Sequence, residues 1–75
     1  MTRCKIVNCH QATIVKDPSD TELMNEVVDI LERGTEINVD KSTIYWSWND
    51  KQYYKCNWGF DEGEGYIRTS LVEEV

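Results

Sequence analysis

Four side chains in this sequence have the chemistry to hold zinc or activate a thiol: Cys4, Cys9, His10 and Cys56. They are the minimum set for a closed Cys₃His zinc site. Their spacing speaks against one. Residues an odd number apart on a strand face opposite sides, so Cys4 and Cys9 diverge, as do Cys9 and His10. A thiol nucleophile also needs a base within hydrogen-bond reach and a third group to orient that base. His10 is the sole histidine and points away from Cys9 if both lie on a strand. No catalytic constellation, metal site or other cofactor is therefore expected, and His10 reads as a surface residue. The odd cysteine count argues against a disulfide framework and for reduced thiols, with Cys9 and Cys56 as small buried apolar groups.

Two further groups remain. The run Asp61-Glu62-Gly63-Glu64-Gly65 has carboxylates suited to a hard cation, but it lacks the full twelve-position loop that such sites use. It reads instead as a solvated acidic contact loop of Asp61, Glu62 and Glu64 whose glycines supply left-handed backbone. The second group is aromatic: Trp46, Trp48, Tyr53, Trp58, Phe60 and Tyr66. Tryptophan and tyrosine dominate interface energetics, and a chain of 75 residues cannot bury all six. Trp46, Trp48, Tyr53 and Tyr66 are the expected protein- or peptide-binding surface, while Trp58 alternates with Tyr54 and Cys56 and belongs at least half to the core.

The elements that must position these groups are short. The chain forms a single domain, residues 1–75, with no repeat, linker or low-complexity stretch. Hydrophobic residues make up 40% and charged residues 29%, a globular balance. Strands are expected at 5–9, 12–15, 36–40, 44–48, 53–58 and 65–68, each β-branched, aromatic or alternating in polarity. Turn chemistry lies at 17–20, 32–35 and 49–50. Residues 20–33 carry two patterns at once. Leu23, Val27 and Leu31 fall at helical spacing behind a Ser19-x-x-Glu22 capping box. Yet Val27, Val28 and Ile30 are β-branched and run into a turn at Glu32-Arg33-Gly34-Thr35.

Charge narrows the partners. Fourteen Asp and Glu against eight Lys and Arg give a formal net charge of −6. Nonspecific nucleic-acid binding and docking to an anionic membrane surface both rest on an excess of cations, so neither is expected. The acidity is concentrated toward one end, where residues 61–75 hold Asp61, Glu62, Glu64, Glu73 and Glu74 against Arg68 alone. A basic partner surface should dock there. The apolar runs are too short for a membrane-spanning helix. Met1-Thr2-Arg3-Cys4-Lys5 is not followed by a signal-peptide core, so synthesis in the cytoplasm is expected.

Taken in order, the landmarks resemble the bacterial SH3-like (SH3b) domain family. Ile6-Val7-Asn8-Cys9 and then Ala12-Thr13-Ile14-Val15-Lys16-Asp17-Pro18-Ser19 look like its opening strand and Pro-Ser turn. Val28 to Val39, with Gly34-Thr35 at its centre, looks like its central pair of strands. Tyr53-Tyr54-Lys55-Cys56 stands where the family has Trp-x-Lys-Val, and Gly65-Tyr66-Ile67 with Ser70-Leu71 looks like its closing strand and 3₁₀ turn. The chain departs from the family at Ala12-Thr13-Ile14-Val15, where Leu-Asn-Val-Arg is usual, and in longer stretches at 20–26 and 42–52.

The resemblance implies an all-β fold: a small SH3-like barrel of five to seven short strands, with residues 27–31 as strand and a short 3₁₀ turn near the C-terminus. A helical turn at 21–25 is compatible with it. The implied core is Val7, Cys9, Ile14, Val28, Leu31, Ile37, Val39, Tyr54, Cys56, Ile67 and Leu71. The implied role is non-enzymatic: a small decoration or assembly protein of a bacteriophage or prophage particle, bound to another virion protein. The alternative is a module that binds cell-wall (peptidoglycan) peptide. Binding of proline-rich peptides in the eukaryotic manner is not implied, since no Ala-Leu-Tyr-Asp-Tyr motif is present.

Overall fold

In the computed structural model, residues 1–17, 27–47, 50–58 and 64–75 are described. They form seven antiparallel strands and one 3₁₀ turn: β1 (Thr2–Ile6), β2 (Gln11–Val15), β3 (Val27–Glu32), β4 (Glu36–Trp46), β5 (Gln52–Asn57), β6 (Glu64–Arg68), η1 (Thr69–Leu71) and β7 (Val72–Glu74). The architecture is the all-β barrel expected, with the 3₁₀ turn where the resemblance put it. Residues 27–31 are strand, and the helical turn at 21–25 that the resemblance allows lies outside the described residues.

The sheet order is β3-β2-β6-β5-β4-β1-β7. Chain connectivity forces this sheet to curl. β3 and β4 are joined by residues 33–35, yet β2, β6 and β5 lie between them in the sheet. Four strand spacings in a flat sheet would put β3 about 19 Å from β4. Four peptide units reach about 14 Å at full stretch. The connection is in fact a tight turn, in which Thr35 N donates to Glu32 O at 3.1 Å and Gly34 takes φ 90°. A residue with a Cβ is strained at that φ, which explains the glycine. Backbone bonds then seal the end of the barrel: Gly34 N to Ile6 O at 2.8 Å, Arg33 N to His10 O at 3.0 Å and Val7 N to Leu71 O at 2.8 Å.

Cys4, Ile6, Ala12, Ile14, Ile37, Val39, Cys56 and Ile67 are fully buried and form one cluster. Cys9, Leu31, Tyr54, Trp58, Leu71 and Val72 pack against it, half-buried. Three expectations are corrected here. The first strand runs over 2–6 rather than 5–9, so its inward row is Cys4 and Ile6, and Val7 and Cys9 are only half-buried. The chain leaves the strand through Asn8, at φ 60°, whose side-chain amide donates to Ser70 O at 3.0 Å. Asparagine tolerates this left-handed conformation better than most residues. Second, Val28 is 41% exposed, because it lies three residues from half-buried Leu31 and so shares the outward face of β3 with Ile30. Third, 36–40 and 44–48 are not separate strands. β4 runs unbroken over Glu36–Trp46, with a register irregularity between Asp40 and Tyr45. Asp40 Oδ1 accepts from Ser42 N at 3.0 Å and from Ser42 Oγ, and these two bonds hold its carboxyl below the usual range.

Asp29 fastens the edge strand β3. Its Oδ1 accepts from Ile30 N at 2.7 Å, and its Oδ2 accepts from Trp58 Nε1 at 2.6 Å. β3 and β5 are not sheet neighbours, so this second bond ties the edge to the end of a strand across the barrel.

Candidate functional site: an outer tyrosine face and the groove beside it

Register decides which aromatics meet. Tyr53 pairs with Tyr45 on one side and Arg68 on the other, and Lys55 pairs with Asp40 and Tyr66. Directly opposed residues share a face. Tyr45, Tyr53, Lys55, Tyr66 and Arg68 therefore lie together on the outer face of β4, β5 and β6, while Tyr54, Cys56 and Ile67 face the core. The register irregularity after Asp40 is what turns Tyr45 outward, since without it alternation would put Tyr45 on the side opposite Asp40. The Tyr45 and Tyr66 rings meet edge to face, with centroids 5.0 Å apart and planes at 72°. Strands β4 and β6 flank β5, so the two rings bridge over it above Lys55. Lys55 Nζ lies 3.5 Å from Glu64 Oε1, and that carboxylate, followed by the two phenols, raises the Lys55 pKa.

Of the expected binding residues, Tyr53 and Tyr66 stand on this face. Trp46 pairs with Gln52, which puts it on the opposite side of the β4–β5 hairpin, near the tip. It is 56% exposed, with Ile44 at 42% on the same side. Trp48 lies outside the described residues, as do Asp61 and Glu62 of the acidic loop. Glu64 is exposed, belongs to β6, and faces Lys55 on the tyrosine face. Tyr45 is not among the expected binding residues, since alternation along Ile44-Tyr45-Trp46 sets it on the face opposite Trp46. Only the register irregularity puts Tyr45 with Tyr66.

Gly65 sets the position of Tyr66. It is buried opposite Cys56, and a Cβ there would lie 2.5 Å from Ile14 Cγ2, 3.0 Å from Val15 O and 3.1 Å from Val28 Cγ2. Its missing side chain lets β6 approach β2 closely enough for the Val15–Tyr66 pair. Among the described residues that pair is the whole of the β2–β6 ladder. Beyond it the strands part and leave a groove of about 350 Å³. Tyr53, Arg68 and Leu71 line one side, and Gln11, Thr13, Val15 and Val27 the other.

The thiols lie elsewhere. All three are free; Cys4 and Cys56 are buried and Cys9 is half-buried. Burial pushes Cys56 up to about 12 and raises Cys4 as well, against the pull of Lys41. The expected burial of Cys9 thus passes to Cys4, which follows from the shifted first strand. His10 is exposed beside Glu32 and Arg33. Among the described residues no group of three or more His, Cys, Asp and Glu converges on one point, and no helix is long and apolar enough to cross a membrane. Comparison with family models, curated proteins and solved structures gave no match to this chain.

Proposed function

We propose that this chain is a non-enzymatic protein-interaction module of the SH3-like type that binds through the outer face of β4, β5 and β6. The observation that carries the reading is the association of Tyr45, Tyr53 and Tyr66 on one face, two of them in ring contact, on a rigid sheet. Tyrosine offers a large amphipathic contact area with few rotatable bonds, and a barrel strand holds it in place without a partner. Glu64 and the acidic end of the chain favour a partner with a basic surface, and the net charge of −6 disfavours nucleic acid and anionic membrane.

Within this class, an accessory or decoration role in a phage or prophage particle is the reading favoured by the resemblance to small SH3b domains. Fold analogy alone supports that origin. The second reading, recognition of cell-wall peptide, is favoured by a specific feature, the concave groove beside the tyrosine face. Co-sedimentation with purified peptidoglycan separates the two. Assembly as sole function predicts no retention on the wall. Saturable retention that is lost with Tyr53→Ala would make the cell wall the ligand.

A further inference from the structure

Among the described residues, Arg68 is the one charged residue lining the groove. It is half-buried, and its side chain makes no ion pair, hydrogen bond or ring contact among the described residues. Arg3, Lys41 and Lys55, by contrast, each pair with a glutamate. This is unusual in a chain with 14 carboxylates to 8 cations. Among the described residues no carboxylate pairs with Arg68, which lies in a cleft between parted strands. A guanidinium that is partly stripped of water and has no counter-ion gains most from an anion delivered by a ligand.

We propose that the groove takes the C-terminal carboxylate of an extended peptide that ends in an aliphatic residue. Arg68 supplies a planar fork matched to a carboxylate. Val15, Val27 and Leu71 give the terminal side chain an apolar seat beside that charge. Gln11 and Thr13 are outward positions of β2, spaced about 7 Å apart like alternate residues of an extended ligand, with polar groups to meet its amides. A single described cation in an acidic protein suits one carboxylate rather than a phosphate polyanion. The inference goes beyond the interaction reading, because it names a ligand class for the groove rather than for the tyrosine face. Tyr53 borders both surfaces.

The test is a titration of the ¹⁵N-labelled full chain, followed by NMR, with N-acetyl-Ala-Val as the free acid. Its C-terminal amide, an amide-capped Glu-Val peptide and inorganic phosphate serve as comparison ligands. The free acid should shift the amides of Thr13, Val15 and Arg68, and bind at least about tenfold more tightly than its amide. Arg68→Gln should lose that advantage and Arg68→Lys should recover part of it. Tyr45→Ala should leave the titration unchanged while weakening protein-partner capture, so this inference and the interaction reading fail separately. Equal binding of acid and amide by the wild-type chain would overturn the proposal whether or not the Arg68 variants fold. Absence of shifts, or tighter binding of phosphate or of the capped Glu peptide, would overturn it as well.

Discussion

Gly65→Ala is the substitution that the packing most sharply disfavours. The new methyl would sit 2.5 Å from Ile14 Cγ2, where carbon atoms normally rest about 3.5–4.0 Å apart. The other two directions are closed by Val15 O at 3.0 Å and Val28 Cγ2 at 3.1 Å. Ile14 is fully buried and Val15 O is backbone, so neither moves without shifting β2. Overpacking of this kind costs about 3 kcal/mol, at the upper end of the usual range. Loss of glycine freedom in the unfolded chain offsets about 0.5–1 kcal/mol of that. The net loss is about 2 kcal/mol, or roughly a 10 °C fall in Tm for a domain of this size. Thermal and urea unfolding followed by circular dichroism would measure it. Ile14→Leu removes the crowded branch, so the double variant should be less unstable than the sum of the singles by about 1 kcal/mol. A Gly65→Ala protein that melts within about 2 °C of the wild type, or above it, would refute the close-approach argument. The account of how Tyr66 is placed would fall with it.

Two further outcomes follow from the core and the edge strand. Asp29→Ala removes acceptors from both Ile30 N and Trp58 Nε1 and should cost about 1.5–3 kcal/mol, with faster exchange of the Ile30 amide; a loss under about 0.5 kcal/mol would show that the bond does not fasten β3. Iodoacetamide at pH 8 should label Cys9 in the native protein and leave Cys4 and Cys56 untouched until it unfolds, because both are buried and Cys56 titrates only at about 12. Peptide mapping by mass spectrometry reads this directly, and native labelling of Cys56 as fast as Cys9 would contradict the placement of the core.

Much of the barrel was legible because its strands alternate in the sequence itself. Ile37 with Val39, Tyr54 with Cys56, and Ile67 announce their inward faces, and Gly34 marks its turn. The first strand was legible too, in Arg3-Cys4-Lys5-Ile6, but the apolar pair Ile6-Val7 invited the wrong phase, and a one-residue slip inverts every side chain. For residues 27–31 local pattern supported helix and strand alike, and the resemblance rather than the periodicity settled on strand. The site was less legible. Tyr53 and Tyr66 could be nominated as outward aromatics, but their association with Tyr45 depends on a register irregularity in β4, which single-strand alternation does not encode. The separation of Trp46 from Tyr53 depends on the same pairing. Arg68 read only as the lone cation of an acidic end. Its groove exists because β2 and β6 part after one pair, a property of two strands far apart in sequence.

The central claim is that this barrel works by binding a protein through its tyrosine face. The most direct measurement is quantitative affinity capture from its native source with the wild-type chain and with the Tyr45→Ala/Tyr66→Ala variant. The variant's fold must first be verified by an unchanged near-native melting transition, and the captured partner then confirmed with purified components. The account predicts a defined partner whose binding falls at least about tenfold in the variant, as expected when two interface tyrosines are truncated. A partner that binds both proteins equally, or none retained by the wild type, would contradict it.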